Sequence, residues 1–241
     1  MYSTESNGEA TEFGTSGFLY QSNKLMYDRK AETLWHQFRG EPVVGPLAGS
    51  GIQLEVLPNA LTTWGAWLAY HPDTTVLSND TGVYPAETYR PEADSKSFYF
   101  SYRNRTDTMF PVAQRDERLA TKDLVFGLIF NDSPKAFVLA DLAQSPVLDD
   151  TVGGQSLVIV TPDQGADPRA YKRDSHVFRE GALTVNGTLM LVDESGVTWR
   201  TAENALINSE DNTQRLNRLS SRDALWFGWF TFYHHTELFS P

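Results

Sequence analysis

The tryptophans constrain this chain more than any other residue type, because its six fall into three matched pairs. The segment LEVLPNALTTWGAWLAYHPDTTVLS (54–78) lies over LNRLSSRDALWFGWFTFYHHTELFS (216–240) without a gap, matching Leu54 to Leu216, Leu57 to Leu219, Trp64 to Trp226, Trp67 to Trp229, Thr74 to Thr236 and Ser78 to Ser240. Upstream, GFLYQSNKLM (17–26) lies over GALTVNGTLM (181–190), so that Leu25 and Met26 meet Leu189 and Met190, and Trp35 then meets Trp199. Self-similarity at a fixed spacing is the mark of a repeated structural unit. The expected organisation is a first repeat over 1–78, a connector over 79–121 and a second repeat over 122–241. The second repeat opens near Lys122; projected back onto the first, that opening falls before Met1, so the first repeat is expected to lack its opening strands. A sheet with open edges does not stand well alone, which predicts one compact unit with a pseudo-two-fold arrangement.

Hydrophobic periodicity gives the elements. LVFGLIF (124–130), KAFVL (135–139), SLVIVT (156–161), GTLMLVD (187–193) and VTWRT (197–201) are short apolar or alternating runs and read as strands. FNDSPK (130–135) and DDTVGGQ (149–155) carry the Asn, Asp and Gly that tight hairpin turns need. Trp226, Trp229, Phe230 and Tyr233 recur on one helical face, as do Trp64, Trp67, Leu68 and His71. Pro72 ends the first of these short helices, and VLADLAQS (138–145) reads as another. The fold class expected is therefore α+β and β-rich, with small mixed or antiparallel sheets capped by short Trp-bearing helices. The aromatic-rich connector reads as a long ordered loop whose tyrosines pack across both lobes, or as a lid over a ligand.

Composition removes several function classes. With 40% hydrophobic residues in 241, the chain can bury a real core. Twenty basic against 31 acidic residues give a net charge of −11, which repels nucleic acid and anionic membrane surfaces. No apolar run reaches the ~18 residues that a membrane span requires, and the first residues lack the basic and apolar regions of a signal peptide. The absence of cysteine rules out disulfides, thiolate metal sites and a cysteine nucleophile within these residues.

With FGTSGFLYQSNKLMYDRKAETLW (13–35), GEPVVGPLAG (40–49), TTWGAWLAYHPDTTVLS (62–78), MFPVA (109–113), DDTVGG (149–154) and WFGWFTFYHHTELF (226–239) in view, the chain resembles the DUF3179 proteins of bacteria and archaea. The resemblance runs over nearly the whole chain. It implies an uncharacterised family whose members carry, before the FGxSG block, a segment similar to residues 122–161 that ends in a Cys-Pro-x-Cys-like motif, often behind an export signal. The corresponding place in the second repeat here reads VTPDQG (160–165), without cysteine. An extracytoplasmic location is suggested on this ground alone.

Candidate site residues are few. In YDR, Tyr27, Asp28 and Arg29 follow an apolar pair. Neighbouring Asp and Arg on a strand point to opposite faces, so Asp28 is either a structural buried carboxylate or, with Arg29, a ligand contact. GPLAGSG (45–51), with Gly45 and Gly49, is a tight turn or an anion-cradling loop; it lacks the lysine and hydroxyl of a P-loop. His71 with Asp73 is the most reaction-like pair. His234 and His235 diverge by about 100° on a helix and could chelate one ion only from a frayed helix end. Sequons at Asn79, Asn104, Asn131 and Asn186 matter only in a glycosylating host. No catalytic residue, metal or cofactor is assigned. The expected function is a non-enzymatic or degenerate ligand-binding module for a small molecule or a protein, with its site in a groove of YDR, the GPLAG turn and the connector tyrosines, and with homodimerisation at the open sheet edges. The alternative is a truncated metal-dependent or redox protein whose cysteine segment precedes Met1.

Overall fold

The computed structural model describes residues 1–6, 8–162, 167–183 and 189–241. A minimal pairing of β1 (Glu5–Ser6) with β2 (Glu9–Ala10) leads into an antiparallel sheet of β3 (Phe13–Tyr20), β4 (Asn23–Asp28), β5 (Leu34–His36) and β6 (Pro42–Val44), in that order. Helix α1 (Trp64–Tyr70), a 3₁₀ turn (Ala86–Tyr89) and α2 (Phe98–Arg103) follow. The rest of the chain forms β7 (Leu124–Phe130), β8 (Ser133–Val138), α3 (Leu139–Leu142), β9 (Val147–Val152), β10 (Gln155–Val160), β11 (Arg169–Lys172), β12 (Arg179–Leu183), β13 (Leu189–Val192), β14 (Thr198–Thr201), β15 (Ala205–Asn208), β16 (Arg215–Asn217), β17 (Arg222–Leu225), α4 (Trp226–Phe232) and β18 (Glu237–Leu238). These strands make three further sheets, ordered β17-β7-β8-β18, β11-β10-β9 and β12 through β16 in sequence. The protein is β-rich, with several small sheets and four short α-helices among the described residues. No helix there is long and apolar enough to cross a membrane.

Period-two burial stacks the second half into layers. On β7, Val125 faces α4 with Trp226 and Trp229, while Phe126 and Leu128 face the other way, toward Leu157 and Ile159 of β10. On β10, Val158 and Val160 turn in their own right toward Leu191, Trp199 and Leu206 of the five-stranded sheet. Strands buried on both faces read as continuous apolar runs rather than as alternation, which is why LVFGLIF and SLVIVT look as they do. The turns also follow their sequence. Asn131 and Asp132 (φ 48° and 56°) join β7 to β8, and Gly153 and Gly154 (φ 53° and 82°) join β9 to β10, the left-handed pairs that two-residue hairpins require. At Gly153 a Cβ would also lie 1.9 Å from the Phe130 carbonyl oxygen.

Two side-chain arrangements occur twice in the chain. Trp35 Nε1 donates to Asp28 Oδ2 at 2.6 Å, and the Trp35 ring meets Phe13 edge-on at 5.6 Å and 90°. Trp199 Nε1 donates to Asp193 Oδ2 at 2.9 Å, and its ring meets Phe178 at 5.8 Å and 84°. Trp67 Nε1 donates to Thr74 Oγ1 at 2.9 Å, as Trp229 Nε1 does to Thr236 Oγ1 at 2.9 Å. Both short helices end on a residue whose N–H returns to that tryptophan's carbonyl, His71 and Tyr233.

The surroundings of the two helices differ. α4 buries Trp226, Gly228, Trp229 and Phe232, because β7 supplies a floor and Gly127 lets the indole approach: a Cβ there would stand 2.1 Å from Trp229 Cζ3. α1 has no buried residue, and Trp64 is 50% exposed. In the connector, Tyr84 and Tyr99 stand exposed, whereas Tyr102 is half-buried beneath the Lys122 ammonium at 3.8 Å. Phe38 also joins the two halves. Its ring stacks on Phe232 at 5.0 Å, and its carbonyl accepts from Tyr233 Oη at 2.9 Å and Arg222 Nε at 3.0 Å. Of GTLMLVD, Gly187 and Thr188 lie outside the described residues.

Trp229→Ala removes a large, fully buried aromatic whose floor has no side chain able to refill the space, and is expected to cost about 3–5 kcal/mol. Denaturant unfolding checks it. An unchanged midpoint would mean that the ring does not pack against Gly127.

Candidate functional site

A group of polar side chains is withdrawn from solvent where strand ends of the second half meet residues 37–59. Arg169 grips Asp167 through two bonds, Nε to Oδ1 at 3.0 Å and Nη2 to Oδ2 at 2.7 Å, and reaches Glu203 Oε2 with Nη1 at 2.8 Å. Arg218, nearly closed to solvent, donates to the Glu203 carboxylate and carbonyl and to the Asn59 carbonyl, the last at 2.8 Å. Charges removed from water persist only when paired in this way. Burial pushes the neighbouring Tyr171 hydroxyl up to about 12, and it donates to the Ala202 carbonyl at 3.0 Å.

Asp223 on β17 stands beside this network and is not paired by it. Burial first, and then the Asp167 charge, push its carboxyl up to about 6 against the partial opposition of Arg218 and of the Met1 ammonium. It borders a cavity of about 660 Å³ whose apolar wall includes Phe13, Met26, Phe38 and Phe227. Asn23 and Asn59 line the same cavity. In each of these three residues, Asp223, Asn23 and Asn59, Oδ1 is shut from solvent without a hydrogen-bond partner. Unsatisfied buried acceptors are uncommon, and three of the residues bordering this cavity carry one. A perturbed carboxylate in a cavity with a few polar groups is also the usual character of a ligand site.

A larger cleft, of about 1200 Å³, runs on the other side of Val56 and Arg222, between residues 39–56 and the β7–β8 turn. Ser220 Oγ closes part of its floor by donating to the Val56 carbonyl at 2.7 Å. On its wall, Arg39 stands 3.6 Å from Glu41 and donates to the Phe232 carbonyl at 3.2 Å.

The residues singled out from the sequence are scattered over this landscape. Asp28 is buried, and its two oxygens accept from Trp35 Nε1 and from the Ala31 amide. Arg29 lies over Tyr27 at 5.3 Å and pairs with Glu12 at 2.9 Å on the exposed edge of the first sheet. Gly45 (φ 111°) lies against Thr33, whereas Gly49 reaches the larger cleft. His71 stacks on Trp67 at 4.0 Å and borders a smaller cavity of about 310 Å³ with Asp167, Arg169 and Glu203. Asp73 is exposed, and no hydrogen bond or ion pair joins it to His71 among the described residues. The structure does not gather these seven into one groove. Asp223 was not singled out from the sequence; its position opposite Leu61 in the repeat alignment, an acid where an apolar residue stands, was the one available signal.

His36 completes the titratable set. Burial, then the Arg39 charge, push it down to about 4, consistent with Nδ1 accepting from the Phe38 and Arg39 amides. The two groups act oppositely. A lowered histidine contributes stability that is present above its unfolded pKa near 6.5 and is lost as pH falls toward 4. A raised aspartate contributes stability that is present below 3.8 and is lost as pH rises toward 6. In the wild type the two offset each other between pH 4 and 6. Asp223→Asn removes the aspartate's opposition, so the variant's unfolding free energy falls more steeply with acid than the wild type's, by up to about 1.4 kcal/mol per pH unit. Denaturant titrations across this range check it, and parallel profiles would contradict it.

No curated protein and no solved structure matches the chain. The model of the family described as "Protein of unknown function (DUF3179)" matches residues 1–236, and the chain belongs to that family.

Proposed function

We propose that the chain is a non-enzymatic ligand-binding module that takes a small, donor-rich molecule, an amine or a polyol with an apolar part, into the cavity at Asp223. The observation that carries this reading is that three residues bordering that one cavity, Asn23, Asn59 and Asp223, each hold a buried acceptor oxygen without a partner. A ligand with N–H or O–H donors satisfies them, and an amine also meets the Asp223 charge, which burial otherwise disfavours. Phe13, Met26 and Phe38 provide the apolar contact. Tyr27, Asp28, Arg29 and Gly45 have no part in this site, and their role is to hold the first sheet together.

The same reading includes an internal duplication, with a first repeat over 1–78, a connector over 79–121 and a second repeat over 122–241 forming one unit. The twofold occurrence of the Phe–Trp–Asp and Trp–Thr arrangements supports it. Strand pairing supports a slightly different alignment from the gap-free one: Met26 pairs with Trp35 and Leu191 with Trp199, so Asp28 corresponds to Asp193. A pseudo-two-fold relation is supported by matching segments lying against each other, with Arg218 bonded to Asn59 and Ser220 to Val56. The Asp223 cavity is then a product of the pairing, lined by residues from both halves.

Thermal unfolding with a panel of primary amines, amino sugars and polyols tests the site. A ligand at about 100 times its Kd adds about 2.7 kcal/mol, which in a chain of this size raises Tm by roughly 5–11 °C. Asp223→Asn is expected to abolish the rise for the amines. A panel without effect, or the same rise in the variant, would contradict the assignment.

A further inference from the structure

Away from that cavity, on the turn after β13 and the loop entering β12, three potential metal ligands come together. His176 Nδ1 stands 3.5 Å from Asp193 Oδ2 and 3.8 Å from Glu194 Oε2, and the three donor atoms lie within 4.8 Å of one another. The histidine nitrogen is shut from solvent yet has no hydrogen-bond partner. A protonated imidazole placed to pair with these carboxylates would donate to one of them. Here the nitrogen faces both at a longer separation and bonds to neither.

That spacing suits an ion better than a direct bond. A tetrahedral zinc ion with N and O ligands at ~2.0–2.2 Å sets neighbouring ligand atoms about 3.3–3.5 Å apart. The His176–Asp193 distance already meets this, and the half-exposed Glu194 needs only a small movement. Two carboxylates match the charge of a divalent cation. The outer contacts that orient metal ligands are also in place: Asp193 Oδ2 accepts from Trp199 Nε1 at 2.9 Å, its Oδ1 accepts from the Ser195 and Val197 amides at 2.9 and 3.0 Å, and Glu194 Oε2 accepts from the Val177 amide at 2.9 Å. The imidazole is braced by Trp199 at 5.1 Å and Phe178 at 5.7 Å.

The first half of the chain provides a contrast. Asp28 makes the same indole bond as Asp193, but the next residue is Arg29, whose guanidinium pairs with Glu12. The position that carries a cation there carries the Glu194 carboxylate here. We propose that His176, Asp193 and Glu194 form a site for a divalent transition-metal ion, zinc by preference, with the fourth position open to solvent on the exposed side of Glu194.

Calorimetric titration of the chelator-treated full chain with zinc chloride, beside His176→Ala and Glu194→Gln, tests the proposal. Asp193 is left intact because it anchors Trp199. One ion per chain is expected, with each variant weakening the affinity at least tenfold and a double His234→Ala, His235→Ala variant leaving it unchanged. Cobalt loading of the wild type is expected to give the visible absorption of a tetrahedral site, lost in His176→Ala. Absence of saturable zinc binding, or affinity unchanged in both single variants, would overturn it and leave the cluster an ion pair only.

Discussion

A carboxylate buried beneath an indole is the constraint on which this structure rests. Asp28 and Asp193 are each withdrawn almost wholly from water, a costly placement unless every lone pair is met. Each meets the cost in the same way, with one oxygen accepting a tryptophan Nε1 and the other accepting turn amides. The bond fixes three things together: the hairpin turn after the strand, the orientation of the indole, and the aromatic edge contact to Phe13 or Phe178. In the second half Trp199 then organises the core shared by β10 and the five-stranded sheet. The polar bond thereby specifies how the apolar core packs.

Much of the architecture was legible because local chemistry and tertiary role agree. Asn131-Asp132 and Gly153-Gly154 announce hairpins that form, and the apolar runs at 124–130 and 156–161 are strands covered on both faces. The one-residue difference between the gap-free alignment and the strand pairing was not legible. Trp35 lies seven residues after Asp28, but Trp199 only six after Asp193, so the extra residue sits in the turn of the first hairpin, where connections take up insertions without disturbing the strands they join.

The candidate site was less legible than the fold for a related reason. YDR attracts notice because charged residues follow an apolar pair, yet Asp28 is consumed by a bond within its own hairpin. Asp223 sits in an ordinary RDAL stretch. Its unusual environment arises from Asn59, Phe38 and Asp167, which are distant in sequence and reach it only through the junction at Phe38 and Arg218. The same holds for His176, which precedes β12, while Asp193 follows β13. Contacts across the fold, rather than motifs along the chain, create both places: the cavity draws Phe13, Asn23, Met26 and Phe227 from segments that carry the family resemblance, while His176, Asp193 and Glu194 lie outside them.

Equilibrium unfolding of Asp28→Asn and Asp193→Asn tests the central claim most directly, because the amide keeps the shape while turning a donor or an uncharged acceptor toward the indole. If both carboxylates anchor their sheets, each variant loses roughly 1.5–3 kcal/mol, the range for hydrogen bonds to a charged group, and exchange of the Trp35 or Trp199 indole proton with solvent quickens in the matching variant. Full stability and unchanged indole protection in either variant would contradict the account.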